Sequence, residues 1–315
     1  MDRYLLDRML GKGNFGSVYK VIDAEGKDIA LKVIDIKSDR HLQEAKKEID
    51  FLTMLKPCQP SLICYYKSFV KDEQLFIETE YIDGPTLHEF AKKNRLNANF
   101  LNNLLAIIGD LIPGIKYLHS KNIIHRDIKP ENIVIEKTKT QPKLIDVGLA
   151  CLSVLRCNLD TEFCCLGTQG TGFFMSPESL KGTNYPESDV WSLGATIYNA
   201  ATGKYLVDEK KVKNYEELQY VMRTKPIMLE KTGNKILDNL IQRMLKTNHK
   251  ERITLDEIYN TIIESKLEKP IIEVEIIEEP GKIEIKELNP DVAEMERIRQ
   301  RYRELTRIDE YFGSL

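Results

Sequence analysis

The sequence predicts an α+β fold in two unequal lobes: a small β-rich N-lobe carrying one helix, and a larger α-helical C-lobe. Three observations predict it. Up to about residue 85, short runs rich in Val, Ile, Leu and Tyr are separated by turn residues. Beyond Gly84-Pro85 the apolar residues recur at helical spacing instead. No repeat period is visible, which excludes a solenoid. The expected boundaries are an N-lobe over 1–83, a C-lobe over 84–265 and a charged tail over 266–315.

In chain order, 4–10, 17–23 and 28–35 read as strands, and Ala24-Glu25-Gly26-Lys27 joins the second to the third as a hairpin turn. A helix follows, capped by Ser38 or Asp39, with Leu42, Ala45, Ile49, Leu52 and Leu55 on its apolar side. Strands near 62–70 and 74–82 flank the polar turn Lys71-Asp72-Glu73. Residues 98–119, with Asn97 as cap, then 189–202, 214–223, 234–246 and 254–265, read as helices. In the tail, Ile271 to Glu279 alternates apolar and acidic residues until Pro280-Gly281 breaks the run. Asn289-Pro290 opens a helix expected over 290–308, with Val292, Met295, Ile298, Tyr302 and Leu305 as its stripe. Such a helix rests on its parent domain or is partly disordered, with a docking element for a partner as the sharper, less favoured alternative.

Composition narrows the function. Lys and Arg number 46 against 49 Asp and Glu, so the basic excess needed for coating nucleic acid is missing. No run approaches the roughly 18 apolar residues of a membrane span. Met1-Asp2-Arg3-Tyr4 does not open a signal peptide. Six cysteines without a CxxC pair do not form a disulfide scaffold. The expectation is a reduced, soluble, cytoplasmic protein.

Gly11-Lys12-Gly13-Asn14-Phe15-Gly16 is a GxGxxG run that is followed by a second strand, Ser17 to Ile22. A dinucleotide fold would place a helix there, so an oxidoreductase is contradicted. A glycine-rich hairpin instead lets backbone N–H groups approach phosphates. Lys32 stands alone in the apolar strand Ile29-Ala30-Leu31-Lys32-Val33, a position that is costly unless it meets an anion. Glu44 and Glu48 share one helix face, and spacing leaves both open as its partner. His125-Arg126-Asp127-Ile128-Lys129-Pro130-Glu131-Asn132 gathers a carboxylate, a lysine and an amide in one short loop. Lys143-Leu144-Ile145-Asp146-Val147-Gly148 ends a strand on Asp-Val-Gly, and Met175-Ser176-Pro177-Glu178, Asp189-Val190-Trp191 and Arg252 follow in order.

Together these motifs resemble the eukaryotic protein kinase family from about Tyr4 to Ser265, with Lys129 pointing to the Ser/Thr branch. The resemblance implies a bilobal kinase fold and transfer of the γ-phosphate of ATP to a protein hydroxyl, with Mg²⁺. By that comparison Gly11, Gly13 and Gly16 cover the phosphates, and Lys32 holds them while Glu48, preceding Ile49, fixes Lys32. Asp127 is the catalytic base, Lys129 sits near the transferred phosphate, and Thr171 steadies both. Asn132 and Asp146 ligate Mg²⁺. Leu10, Val18, Ala30 and Val134 sandwich adenine, with Thr79 as gatekeeper and the backbone of Glu80 and Ile82 pairing to the ring. The expected partners are ATP and a protein substrate with a Ser or Thr acceptor, without nucleic acid or membrane.

Three departures stand out. Val147 replaces the family's usual Phe, and it is the one feature behind the alternative of a pseudokinase-like ATP-binding scaffold. Ser176 replaces the usual Ala. Glu131 matches a position that contacts basic substrates in some members, while Thr86 stands where a second acid is common, leaving substrate preference open. Arg126 implies a phosphate on the segment before Ser176-Pro177-Glu178, where Thr168 ranks before Thr161 and Glu162 is a fixed-charge rival. Cys151, Cys157, Cys164 and Cys165 in that segment read as small apolar fillers, with a redox switch as the minority alternative.

Overall fold

Five antiparallel strands build the first lobe: β1 (Leu5–Gly13), β2 (Gly16–Ile22), β3 (Asp28–Asp35), β4 (Tyr65–Lys71) and β5 (Gln74–Glu80), in the order β1-β2-β3-β5-β4. The computed structural model describes residues 4–13, 16–153, 165, 167–225 and 227–267. Register decides which residues face the cleft. Val18 lies opposite Lys32, Ala30 opposite Thr79 and Lys32 opposite Ile77. Because side chains alternate along a strand, these residues share one face. Ile29 and Leu31 point the other way, where they pack with Val21 and Phe76. Helix α1 (Asp39–Met54) crosses between β3 and β4, opened by Ser38, whose hydroxyl accepts the His41 amide.

The second lobe is helical: α2 (Leu87–Asn94), α3 (Phe100–Ser120), α4 (Pro186–Thr202), α5 (Tyr215–Thr224), α6 (Lys235–Met244) and α7 (Leu255–Leu267). Two short antiparallel pairs carry the loops of the site, β6 (Ile123–Ile124) with β9 (Cys151–Leu152) and β7 (Ile133–Ile135) with β8 (Pro142–Leu144). α4 is buried around almost its whole circumference, including Trp191, Leu193, Ile197 and Tyr198. Each such side chain taken out of water stabilises the lobe by roughly 1.5–3 kcal/mol. Up to Tyr259 both lobes lie in one compact unit, and a second unit begins at Asn260, within α7.

Differences from the sequence reading have local causes. The strand expected from residue 62 starts at Tyr65, because Ser61 and Ile63 hydrogen-bond Leu144 and so pair with β8 instead. α3 begins at Phe100, with Asn97 one turn upstream accepting the Asn99 amide on its side chain. α4 begins at Pro186, three residues early, since proline suits a first helical turn. The reduced-cysteine expectation is overturned at four positions. Cys58 pairs with Cys64, and Cys151 with Cys165, at Cα separations of 5.0 and 5.1 Å. Chain folding brings these pairs together, and neither spacing advertises it; the cysteine argument for a reducing compartment goes with them. The tail readings at 271–279 and 290–308, and Thr161, Glu162, Cys157 and Cys164, lie outside the described residues.

Candidate active site

The lone lysine of β3 finds its anion on α1. Lys32 Nζ donates to both Glu48 oxygens at 2.7 Å and lies 3.7 Å from Asp146 Oδ1. Glu48, rather than Glu44, makes this pair. Burial alone would push the Lys32 ammonium down, but Glu48 and Asp146 outweigh it and hold it above the usual lysine range. The glycine-rich turn closes by pairing Gly13 with Gly16, and its tip residues 14 and 15 are outside the described residues. Gly16 has φ +142°, and a Cβ there would lie 2.2 Å from the Val33 carbonyl oxygen, so glycine is required. At Gly11 the same position is open space.

The loop between β6 and β7 converges on Asp127. Thr171 donates its hydroxyl to Asp127 Oδ1 at 2.7 Å and its amide to the same oxygen at 3.1 Å. Lys129 Nζ donates to Asp127 Oδ2 at 2.6 Å and to Thr171 Oγ1 at 2.9 Å. Asn132 Nδ2 donates to the Asp127 carbonyl and to Oδ2, both at 2.9 Å. That leaves the Asn132 side-chain oxygen as the hard donor. Gly170, with φ +121°, lets Thr171 come this close, since a Cβ there would meet the Arg126 carbonyl oxygen at 2.6 Å. Asp146 follows β8 with φ +61° and its side chain 48% exposed toward the cleft. Enclosure would push its carboxyl up, but Lys32, the Gly148 amide, His125 and Lys129 hold it below the usual carboxylate range.

Sequence reading assigned no role to the residue that shapes this loop. Asp189 on α4, fully buried, accepts the His125 amide at 2.9 Å, the Arg126 amide at 3.0 Å and His119 Nε2 at 2.8 Å. Burial would raise its carboxyl, yet His119 and His125 hold it low, so the loop amides bond a charged oxygen. The Asp189-Val190-Trp191 motif was the available signal. His125 accepts the Asp127 amide on Nδ1 and turns Nε2 to the Ile145 carbonyl, packed rather than presented to the cleft. Arg126 sits at φ +67° and donates to the Leu149 carbonyl at 2.6 Å, and burial pushes its guanidinium down to about 10.

The residues expected to flank adenine come from β1, β2, β3, β5 and β7 and from the stretch just after β5. The Glu80 amide donates to the Cys64 carbonyl at 2.9 Å, and the Glu80 carbonyl lies 3.5 Å from the Thr79 hydroxyl that donates to it. Its carboxylate takes Lys143 Nζ at 2.7 Å and the Cys64 amide at 2.8 Å, a second contact that sequence did not suggest. Val18, Ala30 and Thr79 lie on the cleft face, and Val134, on β7, bridges to Thr86 from the opposite lobe. Leu10 is exposed and Ile82 half-buried. Thr86 is committed elsewhere: it caps α2 in a reciprocal box with Glu89. Glu131 is half exposed, 3.5 Å from His88.

The first lobe thus joins a glycine-rich strand pair to a buried Lys–Glu bond, and the second gathers Asp, Lys and Asn in one loop. The protein kinase domain model matches residues 4–262, and the chain belongs to that family. It is 31% identical over 255 residues to Serine/threonine-protein kinase KIC1 of Saccharomyces cerevisiae, covering 79% of this chain and 22% of that protein. It is 32% identical over 255 residues to Serine/threonine-protein kinase ppk11 of Schizosaccharomyces pombe, covering 79% and 77%. To Calcium-dependent protein kinase 5 of Plasmodium falciparum it is 30% identical over 290 residues, covering 86% and 49%. The chain thus spans less than half the length of two of these relatives. Among the described residues, no helix is long and apolar enough to cross a membrane.

Proposed function

We propose that this chain is an ATP-dependent Ser/Thr protein kinase that moves the γ-phosphate to a protein hydroxyl at Asp127. The observation that carries this reading is Asp127 itself, held by Thr171, Lys129 and Asn132 while Lys32 is already bonded to Glu48. Phosphoryl transfer asks for positioning and charge stabilisation more than for covalent chemistry. Lys32 would hold the α- and β-phosphates under Gly11, Gly13 and Gly16. Asp127 would orient the acceptor hydroxyl and take its proton, with Lys129 beside the transferred group.

The donor set fits Mg²⁺. The Asp146 carboxylate and the Asn132 amide oxygen are hard ligands, and no cluster of three acidic, His or Cys ligands occurs among the described residues. Magnesium suits such a sparse site because substrate phosphates and water complete its shell. When bound, the ion neutralises charge developing on the phosphate oxygens. Leu10, Val18, Ala30 and Val134 would flank adenine beside Thr79, with the Glu80 carbonyl and the Ile82 backbone pairing to its edge. No observation favours the scaffold alternative.

The test is incubation of the full chain with labelled ATP, Mg²⁺ and a degenerate peptide library. Label on Ser or Thr that disappears in Asp127→Asn supports the reading. Nucleotide binding without transfer at any peptide concentration would return the scaffold.

A further inference from the structure

The Cys151–Cys165 bond falls at a mechanically consequential place, and the proposed function does not use it. Cys151 pairs in register with Ile124, the residue directly before His125-Arg126-Asp127. Cys165 precedes Thr171, whose hydroxyl and amide both bond Asp127. One covalent link therefore joins the strand that leads into the base to the segment that delivers the base's partner. Both cysteines are fully buried and pack with Ile124 as a small apolar cluster.

The noncovalent anchors around this link face in another direction. Asn184 Nδ2 donates to the Cys165 carbonyl at 3.2 Å and to the Gly167 carbonyl at 3.4 Å. The Gly167 amide donates to the Gly182 carbonyl at 2.9 Å. These bonds tie the segment to the stretch before α4. Toward the catalytic loop, the described ties are the disulfide, the two-residue β6–β9 ladder, Arg126 Nε to the Leu149 carbonyl at 2.6 Å, Ser153 N to the Asn122 carbonyl at 2.8 Å, and the Thr171 contacts themselves. Without the covalent link, noncovalent contacts alone must close a chain separation of 14 residues.

We propose that the Cys151–Cys165 disulfide holds Thr171 in place on Asp127, so that phosphoryl-transfer competence is under thiol–disulfide control. This rests on the kinase reading above. In the off step, a small dithiol such as dithiothreitol gives two electrons and two protons to the protein. The sulfur–sulfur bond breaks, Cys151 and Cys165 become thiols, and the reagent closes into its cyclic disulfide. In the on step a small-molecule disulfide takes the two electrons back and leaves as two thiols. The buried sulfurs are reached through opening of the β6–β9 pair, a ladder only two residues long on each side.

The experiment uses the full chain isolated with free thiols blocked, mapped without reduction, then assayed before and after dithiothreitol. Expected are a peptide bearing the Cys151–Cys165 bond and a fall in kcat of roughly 10- to 100-fold on reduction, the scale of an ångström misplacement. KM for ATP changes far less than kcat, because Lys32, Val18, Ala30 and Thr79 lie in the other lobe. Activity returns with a small disulfide. Cys151→Ser is low and indifferent to reductant, while the Cys58→Ser/Cys64→Ser double variant keeps the wild-type response. Hydrogen exchange at Ser153 and Thr171 rises on reduction.

The proposal is overturned if the mapped protein lacks the bond, if the reduced enzyme keeps full kcat, or if Cys151→Ser still responds to reductant. Should Cys151→Ser fail to fold, the wild-type redox titration with its exchange readout decides alone. Absence of transfer even in the oxidised protein sinks the kinase reading instead. Exchange at Thr171 then still tests the link, and unchanged protection overturns it.

Discussion

Asp127 is held from two places in the chain: by Lys129 and Asn132 of its own loop, and by Thr171, 44 residues away. Asp127→Asn keeps the shape but cannot take a proton, so kcat should fall about 10²- to 10⁴-fold with melting temperature and ATP affinity retained. Wild-type turnover in that variant would remove Asp127 from the proposed role. Lys32→Met should cripple transfer, and Glu48→Gln should weaken it by loosening the paired 2.7 Å bonds. Glu44→Gln leaves those bonds intact and should be the mildest of the three in kcat/KM. Residue-level legibility followed the type of information needed. The loop of Asp127, Lys129 and Asn132 could be read because its members lie close in sequence. Glu48 could not be separated from Glu44 by spacing, since both sit on one helix face. Asp189 and Lys143 were missed because their partners, His125 and Glu80, are 64 and 63 residues away.

At the scale of elements, the hairpins and the longer helices were legible because their periodicity is local. β6 and β9 were not: two residues each carry no pattern, and their pairing exists only once the lobe has folded. Val147 shows how an element absorbs a departure. It is 2% exposed, and the Lys32–Glu48 bond forms above it without an aromatic ring. Val147→Phe should therefore overpack, costing roughly 1–3 kcal/mol in thermal or denaturant unfolding with no gain in basal rate. A faster enzyme of higher melting temperature would reveal a gap. Ser176 is likewise accounted for, since its hydroxyl accepts the Ser179 amide at 3.2 Å and caps the short turn Ser179–Lys181.

Across the whole molecule, one buried pair links distant parts of the helical lobe. Arg252 grips Glu178 with two bonds, at 2.5 and 2.7 Å, and its guanidinium lies 5.0 Å from the Trp191 ring centroid. Burial would raise the Glu178 carboxyl, but Arg252 holds it below the ordinary 4.5. A depressed carboxylate contributes its stability in full above the unfolded value and loses it as pH falls through the folded one. Acid unfolding should therefore steepen below pH 4.5, and Glu178→Ala should flatten that limb. The same change should cost about 3–5 kcal/mol at neutral pH, because it strands the Arg252 charge. A pH series of urea melts on both proteins checks both outcomes. An unchanged acid limb would show that other groups govern it.

The carboxylate of Asp189 also sets a timetable. The backbone amides it shapes, those of His125 and Arg126, emerge from the ribosome 64 and 63 residues before it does. At about 5–20 residues per second, that is a wait of roughly 3–13 seconds. During it the strands of the first lobe are already synthesised, and all four of their pairings, including the crossover from β3 to β5, lie no further along the chain than Glu80. The nascent chain can therefore possess the sheet that carries Lys32 before the Asp127 loop has the carboxylate that shapes it. Translation order alone delays this arrangement until α4 has been made, and a chain truncated before Asp189 is born without a means of shaping the loop that carries Asp127.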